Sequence, residues 1–269
     1  MTAPPPVLYK YEAFTTQSLL NLKRQIIHFG SPLNFNDPYD CALTPNIDIP
    51  SDSDIEAIRQ TYLSKESLPE QTRLEFETFA PLKLRDIFVR ATQKSVGSAI
   101  QDFLRTKGIA CFSEKNDDLL MWSHYGGHYK GFCLEFATSS EPFEKINKVS
   151  YTSTLPRLNV ADILLDREFQ LVKKLFCTKS NDWSYEKEWR AIHNIAGTQF
   201  GYPPEALTGI YFGPDIDRQS LEIICLILAG QNANVRLWRG SRSTTEFRVL
   251  FESFTYTSHL EAKKNGLVE

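Results

Sequence analysis

Residues 181–192 read NDWSYEKEWRAI, and alternation along a predicted strand puts Glu186, Glu188 and Arg190 on one side. Lys187 and Trp189 then point the other way. Two carboxylates and a guanidinium on one face are costly to bury as mere packing, so that face either meets solvent or lines a polar pocket. In solvent, a cross-strand Lys or Arg satisfies the acids as a surface salt bridge worth under about 1 kcal/mol. In a pocket, the acids are placed for proton transfer or for stabilising positive charge that develops during a reaction.

Other chemistry-bearing residues sit nearby in sequence. Trp122, Trp183 and Trp189, with Tyr125, Tyr129, Tyr151 and Tyr185, give the middle of the chain its aromatic density. These rings serve either as core and rim packing or as a stacking platform for a base-like ring. His124 and His128 are spaced for one face of a helix, but Gly126 and Gly127 interrupt it and no third ligand is fixed by spacing, so no metal is expected. Cys111 with His124 is a conceivable nucleophile and base, yet alternation sets Cys111 beside apolar Ile109, as for a buried thiol. The turn Phe35-Asn36-Asp37-Pro38-Tyr39-Asp40 reads as a structural turn or a substrate-facing loop.

The elements that must position these residues follow from the wider pattern. VLYKY reads as a strand, SLLNLKRQ as a helix capped by Thr15 or Thr16, and QIIHFGSP as a second strand. Residues 50–107 turn charged and helix-favouring, with Ser51 or Asp52 capping SDIEAIRQTYL and a longer helix over LRDIFVRATQKSVGSAIQDFLRT. This stretch is expected to be a helical insertion within a single α+β domain spanning residues 1–269. Strand patterns return at IACFS, GFCLEF and KVSYTS, with a short helix DDLLMWSHY between the first two. A helix VADILLDREFQLVKKLFC precedes the WSYEKEWRAI strand. TGIYFG and LEIICLILAG follow, and NVRLWRG and FRVLFESF close the pattern as strands. Strands interleaved irregularly with helices predict a mixed, mainly antiparallel sheet core.

With 30 basic and 33 acidic residues, the net charge of −3 supplies no global field favouring nucleic acid or an anionic membrane. No segment approaches the roughly 18 uninterrupted apolar residues of a membrane span, and the N-terminus lacks a secretory pattern, so a soluble cytoplasmic protein without membrane partners is expected. Five scattered cysteines without a CxxC pair fit a reducing compartment. Dinucleotide-binding glycine fingerprints, phosphate loops, H-E-x-x-H and G-x-S-x-G are all absent.

The blocks VLYKY, FNDPYDC, GIACFSE, LLMWSHYGGHYKGFCLEF, WSYEKEWRAI and IYFG, in that order between residues 7 and 215, resemble an uncharacterised bacterial family, a domain of unknown function. The order of elements also resembles the ADP-ribosyltransferase fold. That superfamily uses a basic residue on a first strand, a Ser or Tyr on a second and a Glu, often in E-x-E, on a third. The resemblance implies Lys10, Ser113 and Glu188 in these roles, with Glu186 completing E-x-E. Lys10 departs from the Arg or His of that pattern, and His28 is its potential substitute.

The resemblance implies an NAD-consuming ADP-ribosyltransferase or NAD glycohydrolase, a bacterial toxin or phage-defence effector, with NAD as substrate. Its acceptor is an unspecified macromolecule, and an antitoxin or regulatory protein is an implied partner. Glu188, Glu186 and Ser113 would be catalytic. Lys10, Tyr11, His28, Trp122, His124, Tyr125 and Arg190 would hold the nucleotide, Arg190 pairing with its diphosphate. Two other functions are open: a metal-dependent nuclease or phosphoesterase using Asp37, Asp40, Glu186 and Glu188, and a non-catalytic nucleotide-sensing or partner-binding module.

Overall fold

The computed structural model describes residues 3–139, 141–165, 174–232 and 234–266. The first half of the chain forms β1 (Val7–Glu12), α1 (Thr16–Arg24), β2 (Ile26–His28), β3 (Asn46–Asp48), α2 (Asp52–Leu63), α3 (Glu70–Thr78), α4 (Pro81–Thr106), β4 (Gly108–Ser113), α5 (Leu119–His124) and β5 (Phe132–Ala137). Then come β6 (Asn147–Lys148), β7 (Ser150–Thr152), β8 (Arg157–Asn159), α6 (Val160–Leu165), β9 (Thr178–Ser180), β10 (Glu188–His193), β11 (Gln199–Gly201) and β12 (Leu207–Phe212). The last four are α7 (Arg218–Ala229), β13 (Arg236–Arg242), β14 (Val249–Phe254) and α8 (His259–Lys264).

The chain divides into two compact units, one made of Met1–Gly30, Gly108–Val149 and Asp182–Glu269, the other of Ser31–Lys107 and Ser150–Asn181. In the first unit, eight strands form one sheet in the order β14-β13-β12-β5-β1-β4-β10-β6. Only β12 and β13 run parallel; the other neighbours are antiparallel, so this is an α+β fold on a mixed, mainly antiparallel sheet. A parallel pair needs a crossover, and α7 supplies it. Its start is fixed by Asp217, whose side chain accepts from the Ser220 amide.

Strand alternation splits the apolar residues between the two faces of this sheet. Leu8, Phe112, Phe136, Trp189 and Ile210 pack on one face with Leu22 of α1 and Ile224 and Leu228 of α7. Each such side chain contributes roughly 1.5–3 kcal/mol when fully buried. Tyr11, Cys133 and Tyr211 occupy the other face, with Met121 and Trp122 of α5 against them. Helix α1 is set by a capping box between Thr15 and Ser18 and is stopped by Gln25 in a left-handed conformation.

In the second unit, α2, α4 and α6 enclose Ile55, Ile58, Leu84, Phe88 and Val160, with Phe76 of α3 added to the same cluster. Ser51 caps α2 as its sequence suggests. Two short parallel pairs, β3 with β8 and β7 with β9, complete the unit. The Asp37 turn is built as an Asx turn, its carboxylate accepting the Tyr39 amide at 2.9 Å. Asp40 and Lys179, both buried, pair at 3.2 Å.

Residues 166–173, within the expected VADILLDREFQLVKKLFC helix, lie outside the described residues. Among the described residues no helix is long and apolar enough to cross a membrane.

Candidate functional site

The strand expected over WSYEKEWRAI starts later than its alternation suggests. Asn181–Glu186 form a 3-10 turn, Lys187 takes a left-handed φ of 46°, and only from Glu188 does β10 begin. Glu188 and Arg190 therefore share a strand face, whereas Glu186 arrives from the turn. The reason is local: a left-handed residue breaks the extended repeat, so the two acids are not related by a strand's period of two.

Three sets of contacts hold the acids in place. The Ser113 hydroxyl donates to the Glu186 carbonyl oxygen at 2.6 Å, while Ser113 is the register partner of Glu188. The Tyr125 hydroxyl donates to Glu186 Oε1 at 2.6 Å. The Arg190 guanidinium donates from Nε to Glu188 Oε1 at 2.8 Å and from its terminal nitrogen to Oε2 at 2.9 Å. Glu186 is 3% exposed, Glu188 4% and Arg190 0%. A solvated strand face is therefore excluded for these residues. Such buried ions persist only when held by directed donors, as the bidentate fork does here.

Two expected roles change with this geometry. Arg190 is spent on Glu188 and fully buried, so it orients the acid and is not placed for a diphosphate. Ser113 donates to one backbone carbonyl and accepts from the Lys115 amide at 3.1 Å, so it locks the approach to β10 and is not a ribose contact.

The aromatic residues divide in the same way. Trp122 is fully buried, its indole N–H donating to the Asn116 carbonyl at 2.7 Å, and Tyr11 meets it edge-on at 5.1 Å while donating to the Lys115 carbonyl. Both are framework and neither is a stacking surface. His124, at the end of α5, is exposed. Its ring centroid is 6.2 Å from Trp183, 6.3 Å from Tyr185 and 6.2 Å from Tyr125, and these four make the displayed ring group.

The glycines after α5 place that group. A Cβ on Gly126 would lie 2.5 Å from Trp122 Cε3, and one on Gly131 would lie 2.2 Å from the Glu12 carbonyl oxygen. The chain turns back there through left-handed Gly127, His128 and Tyr129. His128 thus leaves the helix that would have set it above His124, and among the described residues no three His, Cys, Asp or Glu side chains gather as a metal site would need.

Lys10 and His28 do not join the acids. Alternation along β1 puts Tyr9 on the face of its register partner Ser113, and hence of Glu188. Lys10 falls on the opposite face beside Leu8, where its ammonium pairs with Glu12 at 3.2 Å. Burial opposes its charge, but Glu12 outweighs that and holds the Lys10 pKa above the usual range. His28 lies on β2, paired with Gln199 of β11, and its buried Nδ1 has no hydrogen-bond partner among the described residues. Cys111 is only partly buried, on the face of its register partner Arg190.

One charged centre on this face was not anticipated. Glu135, 3% exposed, accepts from Tyr211 at 2.7 Å, Thr208 at 2.6 Å, Arg236 at 2.7 Å and, longer, Tyr9 at 3.4 Å. An acid between apolar residues in GFCLEF was the available signal, since a carboxylate inside a strand's buried run needs donors. With both oxygens engaged, Glu135 ties β1, β5, β12 and β13 together.

No curated protein and no solved structure matches the chain. Residues 121–191, from α5 and its glycine turn through Glu186 to Ala191 of β10, match the family model described as Protein of unknown function (DUF2971).

Proposed function

We propose that the chain is an NAD-consuming enzyme, an ADP-ribosyltransferase or NAD glycohydrolase, working at Glu186 and Glu188. One observation carries this reading: of two buried carboxylates, Glu186 is gripped by Tyr125, itself one of the ring group with His124, Trp183 and Tyr185, and Glu188 is gripped by Arg190. Such rings suit a nicotinamide or adenine.

Breaking the bond between the nicotinamide nitrogen and ribose C1′ sends the electron pair to the ring nitrogen. Nicotinamide then departs neutral, and positive charge spreads over C1′ and the ribose ring oxygen. A carboxylate beside that sugar, Glu188 oriented by Arg190, stabilises the charge more in the transition state than in the ground state. Glu186, oriented by Tyr125, takes the proton of the attacking water or acceptor group. The likeness to ADP-ribosyltransferases rests on this Glu-x-Glu pair and the mixed sheet, since Lys10 and Ser113 do not take their expected parts. A cytoplasmic toxin or defence effector restrained by an antitoxin belongs to the same proposal by analogy alone.

The test is nicotinamide release from NAD by purified protein, wild type against Glu188→Gln. The expected result is release by the wild type and a loss on the order of a hundredfold in the variant, the scale of one electrostatic contact in a transition state. No release by the wild type, or equal release by both, removes the reading.

A nucleotide-sensing module without turnover is the second reading, favoured by the bidentate Arg190 contact that already balances the Glu188 charge. It predicts that NAD at a hundred times its dissociation constant raises fold stability by about 2.7 kcal/mol while no nicotinamide appears. The metal-dependent alternative has no comparable support, with Asp37 committed to its own turn.

A further inference from the structure

A cavity of about 720 Å³ lies where the start of α7, β13, the segment after β14 and α8 meet. Arg239, two residues along β13 from Leu237, shares its face, and Leu237 packs with the α7 core, so this cavity is on the face of the large sheet opposite Glu188. Leu221, Phe254 and Tyr256 give it an apolar and aromatic wall. Arg218, Arg239 and His259 bring positive or protonatable groups, and Glu222 is the lining acid, accepting the Tyr256 hydroxyl at 3.0 Å.

The arginines of β13 make the cavity unusual within its own strand. Arg236 is paired with Glu135 at 2.7 Å and Arg242 with Asp215 at 2.7 Å. Arg239, midway between them, has no ion-pair or hydrogen-bond partner for its side chain among the described residues, although Glu252 is its register partner on β14. The same holds for the side chains of Arg218 and His259. Two guanidinium groups against one carboxylate leave the lining formally positive before His259 is counted. Thr255 and Thr257 add hydroxyl donors. Donors of several kinds, an excess of positive charge and an aromatic wall fit a small anion with several acceptor oxygens and an apolar body.

We propose that this cavity binds an organic phosphate monoester carrying an aromatic group, its phosphate held by Arg218 and Arg239 and its ring against Phe254 and Tyr256.

Calorimetric titration of the full chain at low salt, with phenyl phosphate, inorganic phosphate and phenol as probes, tests it. Saturable binding of phenyl phosphate is expected, weaker binding of inorganic phosphate, and none of phenol at the same concentrations. Arg218→Gln and Arg239→Gln should each weaken phenyl phosphate on the order of tenfold, the scale of one charge-assisted contact. Arg248→Gln, whose arginine is paired with Glu246 outside the cavity, should leave it unchanged. These arginines are exposed, so the variants are expected to keep the wild-type melting temperature. Absence of saturable binding to the wild type, or full affinity in the Arg218→Gln/Arg239→Gln double variant, would overturn the proposal.

Discussion

Replacing Arg190 by methionine keeps much of the side chain's length and apolar stem but removes the fork that holds Glu188. The pair is buried and both carboxylate oxygens accept from the guanidinium, at 2.8 and 2.9 Å. Removing one partner leaves a desolvated charge, a change that costs about 3–5 kcal/mol. For a chain of this size that corresponds to a fall of roughly 6–20 °C in melting temperature. Urea unfolding of the wild type, Arg190→Met, Glu188→Gln and the double variant forms a cycle that isolates the pair. The double variant should be more stable than Arg190→Met alone, because glutamine carries no charge to strand. An Arg190→Met variant within about 1 kcal/mol of wild type would rule out a buried, desolvated pair, since that is the worth of a solvated one. A double variant no more stable than Arg190→Met would rule it out too.

Two further predictions concern the frame around the site. Gly131→Ala would put a methyl group 2.2 Å from the Glu12 carbonyl oxygen, a backbone atom, and should lower the urea midpoint by an equivalent of about 1–3 kcal/mol; an unchanged midpoint would show that the turn yields freely. Tyr9 is pushed up to about 12, first by burial and then by the Glu135 charge, whereas an unfolded tyrosine ionises near 10. Because its folded value is the higher one, its contribution to stability is complete below pH 10 and is lost as pH rises from 10 through 12. Tyr9→Phe should flatten the fall of melting temperature over that window, and an identical slope in both proteins would contradict the assignment.

Much of the fold is legible in the residues, and the failures have physical causes. Thr15 before SLLNLKRQ and Ser51 before SDIEAIRQTYL announce their helices because caps are local chemistry, and both are N-caps. Helix α3 escapes notice because Pro69 precedes it with no side-chain cap and its apolar face is short. LEIICLILAG is almost uniformly apolar, so it has no period to read, and the parallel pairing of β12 with β13 is what requires a helix there.

At the site, the chemical types in YEKEWR could be read but their geometry could not. A single left-handed residue, Lys187, moves Glu186 off the strand, and nothing in its side chain signals that conformation. The face of Lys10 was legible in principle, since Tyr9, its neighbour, pairs with Ser113, but only once the register was known. Trp122 and Tyr11 look like ligand-stacking rings until their polar atoms prove to be bonded to backbone.

In the proposed enzyme the carboxylate pair performs chemistry while the neighbouring rings hold the substrate. Steady-state nicotinamide release by wild type, Glu188→Gln and Trp183→Ala separates the two roles most directly. With that division of roles, Glu188→Gln is expected to lower kcat on the order of a hundredfold with KM little changed, whereas Trp183→Ala should raise KM about tenfold with kcat retained. Loss of kcat in both variants, in step with their melting temperatures, would contradict it and mark the face as structural.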